Sequence, residues 1–213
     1  MEKVLLFFAL KYKGDWDKIY KALESKEKIE IETLTNSIKN IRSNWTTIIS
    51  SDYPEALKYT YKPPFVIFYV GDLKVINTNN NIMSFINSVD AINKVNNQTH
   101  IGLIENVMNI SQKSFLVLDS GIYKYMLEND SQSNDLVLSE SYVDFEISYP
   151  QIHKNQLRFI SSVSNSIVID KYDESKIEQI NSFSTNEDFK IFISNQNNNM
   201  TSKFSNVFVF NQN

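Results

Sequence analysis

An α/β fold, Rossmann-like in its layering, is what this chain predicts, and three observations carry the prediction. From residue 65 onward, short apolar runs rich in β-branched and aromatic residues alternate with polar, helix-like stretches. Those runs are continuously apolar, the pattern of parallel strands buried on both faces. The first 50 residues read as short helices that must lean on something larger. The expected organisation is an N-terminal helical region over 1–50, then a Rossmann-like domain over 51–213. That domain holds a mostly parallel sheet with helices on both faces.

The elements follow in order. Leu5, Phe8 and Ala9 recur at i, i+3 and i+4, and Gly14 stops that first helix. Asp15 caps a second helix over Trp16–Ser25, with Trp16, Ile19, Tyr20 and Leu23 on one face. A third is expected over Asn36–Ile49, turning Ile38, Ile41, Trp45, Ile48 and Ile49 inward. Asp52-Tyr53-Pro54-Glu55 opens a turn or short helix, and Lys62-Pro63-Pro64 holds the chain extended. Phe65–Val70 is a strand ended by Gly71-Asp72, and Asn77–Asn81 is a polar loop. Strands are also expected at Ile82–Ile86, Ser114–Leu118, Leu136–Leu138, Ser166–Ile169 and Phe189–Ser194, with a further candidate at Asn206–Phe210. Helical stretches are expected from Val89 to about Met108, over Gln156–Val163 and over Lys171–Phe183. Asn195–Asn199 is a short low-complexity loop.

Composition narrows the chemistry. The chain has four glycines in 213 residues, where average usage gives about 15. No GxGxxG and no GxxxxGK[ST] occurs, so the glycine-rich phosphate loops are missing. With no cysteine and only His100 and His153, zinc sites, iron–sulfur clusters, disulfides and thiol catalysis lack raw material. No metal site is proposed and no cofactor is expected. The net charge of −4 argues against a strongly basic nucleic-acid binder, though it leaves room for a local basic pocket. The apolar run Val4–Leu10 is too short to span a membrane and lacks a signal-peptide cleavage site. The absence of cysteine fits a cytoplasmic protein.

In a doubly wound sheet, ligands bind beyond the carboxyl ends of the strands. Three strand ends qualify here: Asn87-Ser88-Val89, Asp119-Ser120-Gly121 and Asp170-Lys171. Small polar residues there either present donors to an anion or serve as helix caps and turns. Glu55, Glu105, Glu140 and Asp144 form no catalytic constellation and are expected in solvent, and both histidines sit in polar contexts. The N-terminal lysines alternate with acidic residues and read as a solvated face. Lys113, Lys124, Lys154 and Arg158 are sparse cations near strand ends or the helix before a strand. Tyr123, Tyr125, Tyr149 and Phe159 lie close to them in sequence and either stack on bases or pack.

One resemblance is specific. Tyr53-Pro54-Glu55-Ala56-Leu57-Lys58, followed by Pro63-Pro64-Phe65-Val66-Ile67-Phe68-Tyr69-Val70-Gly71-Asp72-Leu73, resembles the YPxxLK and PPxxLFxxGxL entrance of the DprA/Smf DNA-processing family. LKYKGDWDKIYKAL at 10–23 is similar to the helical region that precedes that domain. Downstream the order is kept while motifs thin out. Phe85-Ile86-Asn87-Ser88-Val89 stands for the family's IVGSR strand end, without its glycine or arginine. Only Ile101-Gly102-Leu103 answers the SGLAxGID stretch. Val117-Leu118-Asp119-Ser120-Gly121-Ile122-Tyr123 matches VLGSGxDxxYP, and Leu136-Val137-Leu138-Ser139-Glu140 resembles LLSEY. Tyr149-Pro150, then Gln156 through Asp170, answers FPxRNRIIAGLSDAVLVVEA. There Arg158 takes the place of the second arginine of RNR, and Ser164-Asn165-Ser166 that of SDA. The SGSLxTA motif is missing. FKIFIS at 189–194 fits the last EVFAVPG strand by spacing, and NVFVF at 206–210 resembles it too.

The resemblance implies a cytoplasmic, dimeric, non-catalytic protein. Such a protein binds single-stranded DNA and assists a RecA-type recombinase in DNA uptake or recombination. In this chain Asn87, Ser88, Ser120 and Gly121 would approach phosphates, with charge from Lys124, Lys154 and Arg158. Two other readings stand beside it. One is a degenerate family member acting as a protein-interaction module. The other is a small-nucleotide enzyme, for which Glu140 is the only carboxylate at a strand end beside the phosphate turn.

Overall fold

The helices at the amino end exist because their apolar residues have a sheet to cover. The computed structural model describes residues 1–74, 76, 82–86, 115–117, 122–123, 126, 136–143, 157–169, 172–184, 186–195 and 203–211. Helix α1 (Glu2–Lys11) buries five consecutive residues, Leu5 through Ala9. It is apolar all round, so it is enclosed and not amphipathic as expected. It ends in a Schellman arrangement, in which the Gly14 amide donates to the Ala9 carbonyl over 3.0 Å. The left-handed residue there is Lys13, at φ 52°. Lys26 and Lys62 occupy the same region at φ 52°. In a chain with four glycines, lysine takes positions that glycine usually fills, at about 1 kcal/mol each.

Helix α2 (Trp16–Glu24) is capped as expected, the Asp15 carboxylate accepting from the Lys18 amide. Its buried residues are Ile19 and Ala22, whereas Tyr20, expected inward, is 48% exposed. Helix α3 (Ile31–Lys39) lies earlier than expected. Within the expected third helix, Asn44–Thr47 forms strand β1 and Ile49 faces solvent. The reason is tertiary: the Trp-Thr-Thr run suits a strand, and it pairs antiparallel with β2 (Val66–Val70), Trp45 opposite Phe68. Between them, Glu55–Lys58 forms the short helix α4. Lys62, expected extended before proline, is left-handed instead.

The other strands are β3 (Met83–Ile86), β4 (Phe115–Val117), β5 (Leu136–Ser139), β6 (Ser166–Ile169), β7 (Lys190–Asn195) and β8 (Val207–Asn211). The described strands form two four-stranded sheets, ordered β1-β2-β5-β4 and β3-β6-β7-β8. The second is parallel throughout. The first is mixed, because β2 runs antiparallel to both β1 and β5 while β4 and β5 are parallel. Helix α5 (Glu174–Phe183), capped by Asp173, joins β6 to β7. The expected strands and the α/β class are therefore observed, and both C-terminal strand candidates pair with each other.

Residues 157–163 are helical and link two cores. Phe159 and Val163 pack with Ile67, Leu136 and Leu138 of the first sheet. Leu157 packs with Ile167, Ile169, Ile191 and Ile193 of the second. Each of these fully buried side chains contributes about 1.5–3 kcal/mol. A third cluster joins α1 and α2 to Val66 and Phe68. At the amino end of β6, Ser164 bonds Ser84 over 2.6 Å, and the Asn165 side chain accepts from the Ile82 amide over 2.9 Å. The Ser164-Asn165-Ser166 triplet thus ties β6 to β3. No helix among the described residues is long and apolar enough to cross a membrane. The expected helix from Val89 to Met108 and the loop Asn77–Asn81 lie outside the described residues, as does 196–199.

Candidate nucleic-acid interface

The adjacent parallel strands β4 and β5 bring their carboxyl ends together. The residues beyond them are tied by backbone bonds. The Ile122 amide donates to the Ser141 carbonyl over 3.1 Å, and that of Tyr123 to Tyr142 over 2.9 Å. The Ser141 amide donates to Ser139 Oγ, and Ser141 Oγ donates to the Val143 carbonyl. This corner is where a doubly wound sheet takes a ligand.

Of the residues expected to bind nucleic acid, Asn87, Ser88, Ser120, Gly121, Lys124 and Lys154 lie outside the described residues. In the chain, Asn87 follows the last residue of β3 and Gly121 precedes Ile122. Arg158 is described, and it is 4% exposed. Its Nη2 donates to Glu140 Oε1 in a buried ion pair, and its Nη1 donates to the Tyr61 carbonyl over 3.1 Å. Glu140, expected in solvent, is buried beside it. A carboxylate at the end of a buried strand needs a partner, and the guanidinium supplies it. Burial pushes the Glu140 carboxyl above the ordinary carboxylate value, and Arg158 pulls the other way without cancelling it. A cavity of about 10 Å³ beside Glu140, also lined by Gly14, Trp16 and Pro64, has room for one water.

The pair belongs to a larger scaffold under residues 60–64. Ser162 Oγ donates to Thr60 Oγ1 over 2.6 Å. Trp16 Nε1 donates to the Pro63 carbonyl over 2.9 Å, and the buried Tyr53 hydroxyl to that of Pro64 over 2.8 Å. Burial raises the Tyr53 phenol far above its usual range, so it remains a donor. With the Tyr61 carbonyl held by Arg158 and the Lys62 ammonium by Asp17, each of these five residues has a hydrogen-bonded partner.

The side chains on this scaffold escaped sequence reasoning. Tyr59 and Tyr61 are 71% and 59% exposed. Lys62 Nζ sits 5.2 Å from the Trp16 ring centre and 5.7 Å from that of Tyr61. Trp16 stacks on Tyr20 at 5.1 Å and on Phe65 at 5.2 Å. The available signal was the spacing Tyr59-x-Tyr61-Lys62-Pro63-Pro64, aromatic and basic residues alternating ahead of a rigid dipeptide. Among the aromatics singled out instead, Phe159 is a core residue, Tyr123 is partly exposed, and Tyr125 and Tyr149 lie outside the described residues. The described residues hold no group of three metal-ligating side chains. His100, His153, Glu105 and Asp144 are not among them, and Glu55 is exposed and paired with Lys58.

No protein-family model matches the sequence, and no curated protein matches it. Solved structures do. One is DNA processing protein A (DprA) from Streptococcus pneumoniae, with a TM-score of 0.54 and 12% identity, covering 93% of this chain and 88% of that one. Another is DNA processing protein A from Helicobacter pylori, a structure described for its single-stranded DNA binding mode. It has a TM-score of 0.50 and 16% identity over 74% of this chain and 84% of that one. At that identity the likeness is one of fold, and the fold of this chain is DprA-like.

Proposed function

We propose that this chain is a DNA-processing protein of the DprA type that binds single-stranded DNA and catalyses no reaction. The observation that carries the reading is the DprA-like fold over 93% of the chain. The joined carboxyl ends of β4 and β5 support it, since they lie where such a sheet receives an anion. In this reading Asn87, Ser88, Ser120 and Gly121 approach phosphates, and Lys124 and Lys154 supply charge. Arg158, already paired, braces the wall of the site while its charge is largely spent on Glu140. The protein then works as a cytoplasmic homodimer that passes DNA to a RecA-type recombinase during uptake or recombination. Its organisation is a helical region over 1–50 ahead of a Rossmann-like domain over 51–213.

The test is a fluorescence-anisotropy titration of labelled oligo-dT at low salt. Saturable binding that weakens when Lys124→Ala and Lys154→Ala are combined supports the reading. No binding at tens of micromolar protein overturns it. The neutralisation of Arg158 by Glu140 favours a second reading, a protein-interaction module without DNA affinity. Retention of a RecA-type recombinase by a chain that ignores oligo-dT decides for that one.

A further inference from the structure

We infer that residues 59–64 are a rigid display loop that stacks unpaired bases of single-stranded DNA on Tyr59 and Tyr61, with Lys62 meeting the phosphate backbone. This rests on the single-stranded DNA reading above and adds to it a surface outside the strand-end residues.

The loop is held from beneath and bare on top. Its Thr60 hydroxyl and the carbonyls of Tyr61, Pro63 and Pro64 are bonded by Ser162, Arg158, Trp16 and Tyr53. Arg158, Ser162 and Tyr53 are buried, and Arg158 is itself fixed by Glu140. So much internal anchoring is unusual for a surface turn, where the backbone ordinarily bonds to water. Lys62 is left-handed immediately before a proline, a strained conformation that persists only where the surroundings over-determine it. The scaffold therefore fixes the backbone while Tyr59 and Tyr61 stand 71% and 59% exposed.

The chemistry on display selects the occupant. Exposed aromatic rings beside a cation form the stacking platform by which proteins hold unpaired bases, and every base has a π-face to offer. The Tyr59 hydroxyl donates to Glu55 Oε1 over 2.9 Å, which steadies that ring. Of the nearby carboxylates, Glu55 pairs with Lys58 and Asp17 with Lys62. An arriving phosphate competes with Asp17 for the Lys62 ammonium. The loop is joined through Arg158 and Glu140 to the end of β5.

Three proteins and two probes test this. Wild type, the double variant Tyr59→Ala/Tyr61→Ala and the double variant Tyr59→Phe/Tyr61→Phe are titrated with labelled oligo-dT and with an abasic oligonucleotide of equal length. Both tyrosines are exposed, and matching thermal midpoints verify that the fold is kept. The expected result is about a tenfold or larger loss of oligo-dT affinity for the alanine variant, with the phenylalanine variant near wild type. The abasic strand should bind wild type as weakly as oligo-dT binds the alanine variant. Equal oligo-dT affinity in wild type and alanine variant overturns the display loop while leaving the DNA reading intact. No oligo-dT binding by wild type removes the DNA reading, and the loop's role with it.

Discussion

The two sheets are held together in different ways. The parallel sheet β3-β6-β7-β8 owes its central packing to aliphatic and aromatic side chains, with Ile167, Ile169, Ile177, Ile180, Ile191 and Ile193 at its heart. Among the described residues its ion pairs are at the surface, where Lys203 pairs with Glu174 and Glu178, and its inner polar ties are uncharged, Ser84 to Ser164 and the Ile82 amide to Asn165. The mixed sheet β1-β2-β5-β4 has its own apolar core, but its edges are tied by buried polar groups distant in sequence. Arg158 reaches Glu140 and Tyr61, Ser162 reaches Thr60, and the Tyr142 hydroxyl donates to the Asn40 carbonyl while accepting from the Arg42 amide. Apolar packing tolerates exchange of one hydrocarbon for another, whereas a buried polar bond fails when either partner goes. The polar half is therefore the more specific and the more fragile, and it carries the candidate interface.

Substitutions sharpen this contrast. The largest effect is expected from Glu140→Ala, which strands a buried guanidinium and should cost about 3–5 kcal/mol in urea unfolding. Combining Glu140→Leu with Arg158→Met should restore much of that loss, since no charge is then left alone. Ile193→Val in the parallel sheet should cost only about 1 kcal/mol by the same measurement. A loss there as large as that of Glu140→Ala would erase the distinction. Asp173→Ala removes the cap of α5 and should also cost about 1 kcal/mol, visible as a lower thermal midpoint.

Two carboxylates should titrate in opposite senses. Glu140 is raised by burial. Stability is therefore fully present below its ordinary value and declines as pH rises through the raised folded-state value. Glu27 is half-buried and lowered, chiefly by the Lys11 hydrogen bond and then by that of Tyr12. Its small contribution is present above the ordinary carboxylate value and is lost as pH falls through the lowered one. Glu27→Gln should slightly flatten the acid limb of a stability–pH curve and leave the upper limb unchanged. A change confined to the upper limb would contradict the assignment.

Elements made by local signals were legible in the sequence. Asp15 caps α2, Gly71 at φ 98° ends β2, and every apolar run read as a strand pairs as one. Local pattern failed where distant partners decided the outcome. Trp45 and the threonines after it form a strand because β2 offers them an edge. Glu140 is buried because an arginine 18 residues away comes to meet it. Arg158, read as a free cation for phosphate, has the same explanation from the other side. The display loop was hidden for a further reason, since its anchors come from α2, the Tyr53 turn and the helix at 157–163. The motif resemblance supplied what periodicity does not, and the DprA-like fold agrees with it.

Single-stranded DNA binding by this acidic chain is best checked through the salt dependence of oligo-dT affinity. Lys124, Lys154 and Lys62 together should release few counterions. A plot of log affinity against log salt should then fall with a slope of about −2. A measurable affinity with that shallow negative slope is the expected result. An affinity indifferent to salt, or none at tens of micromolar protein, would contradict it.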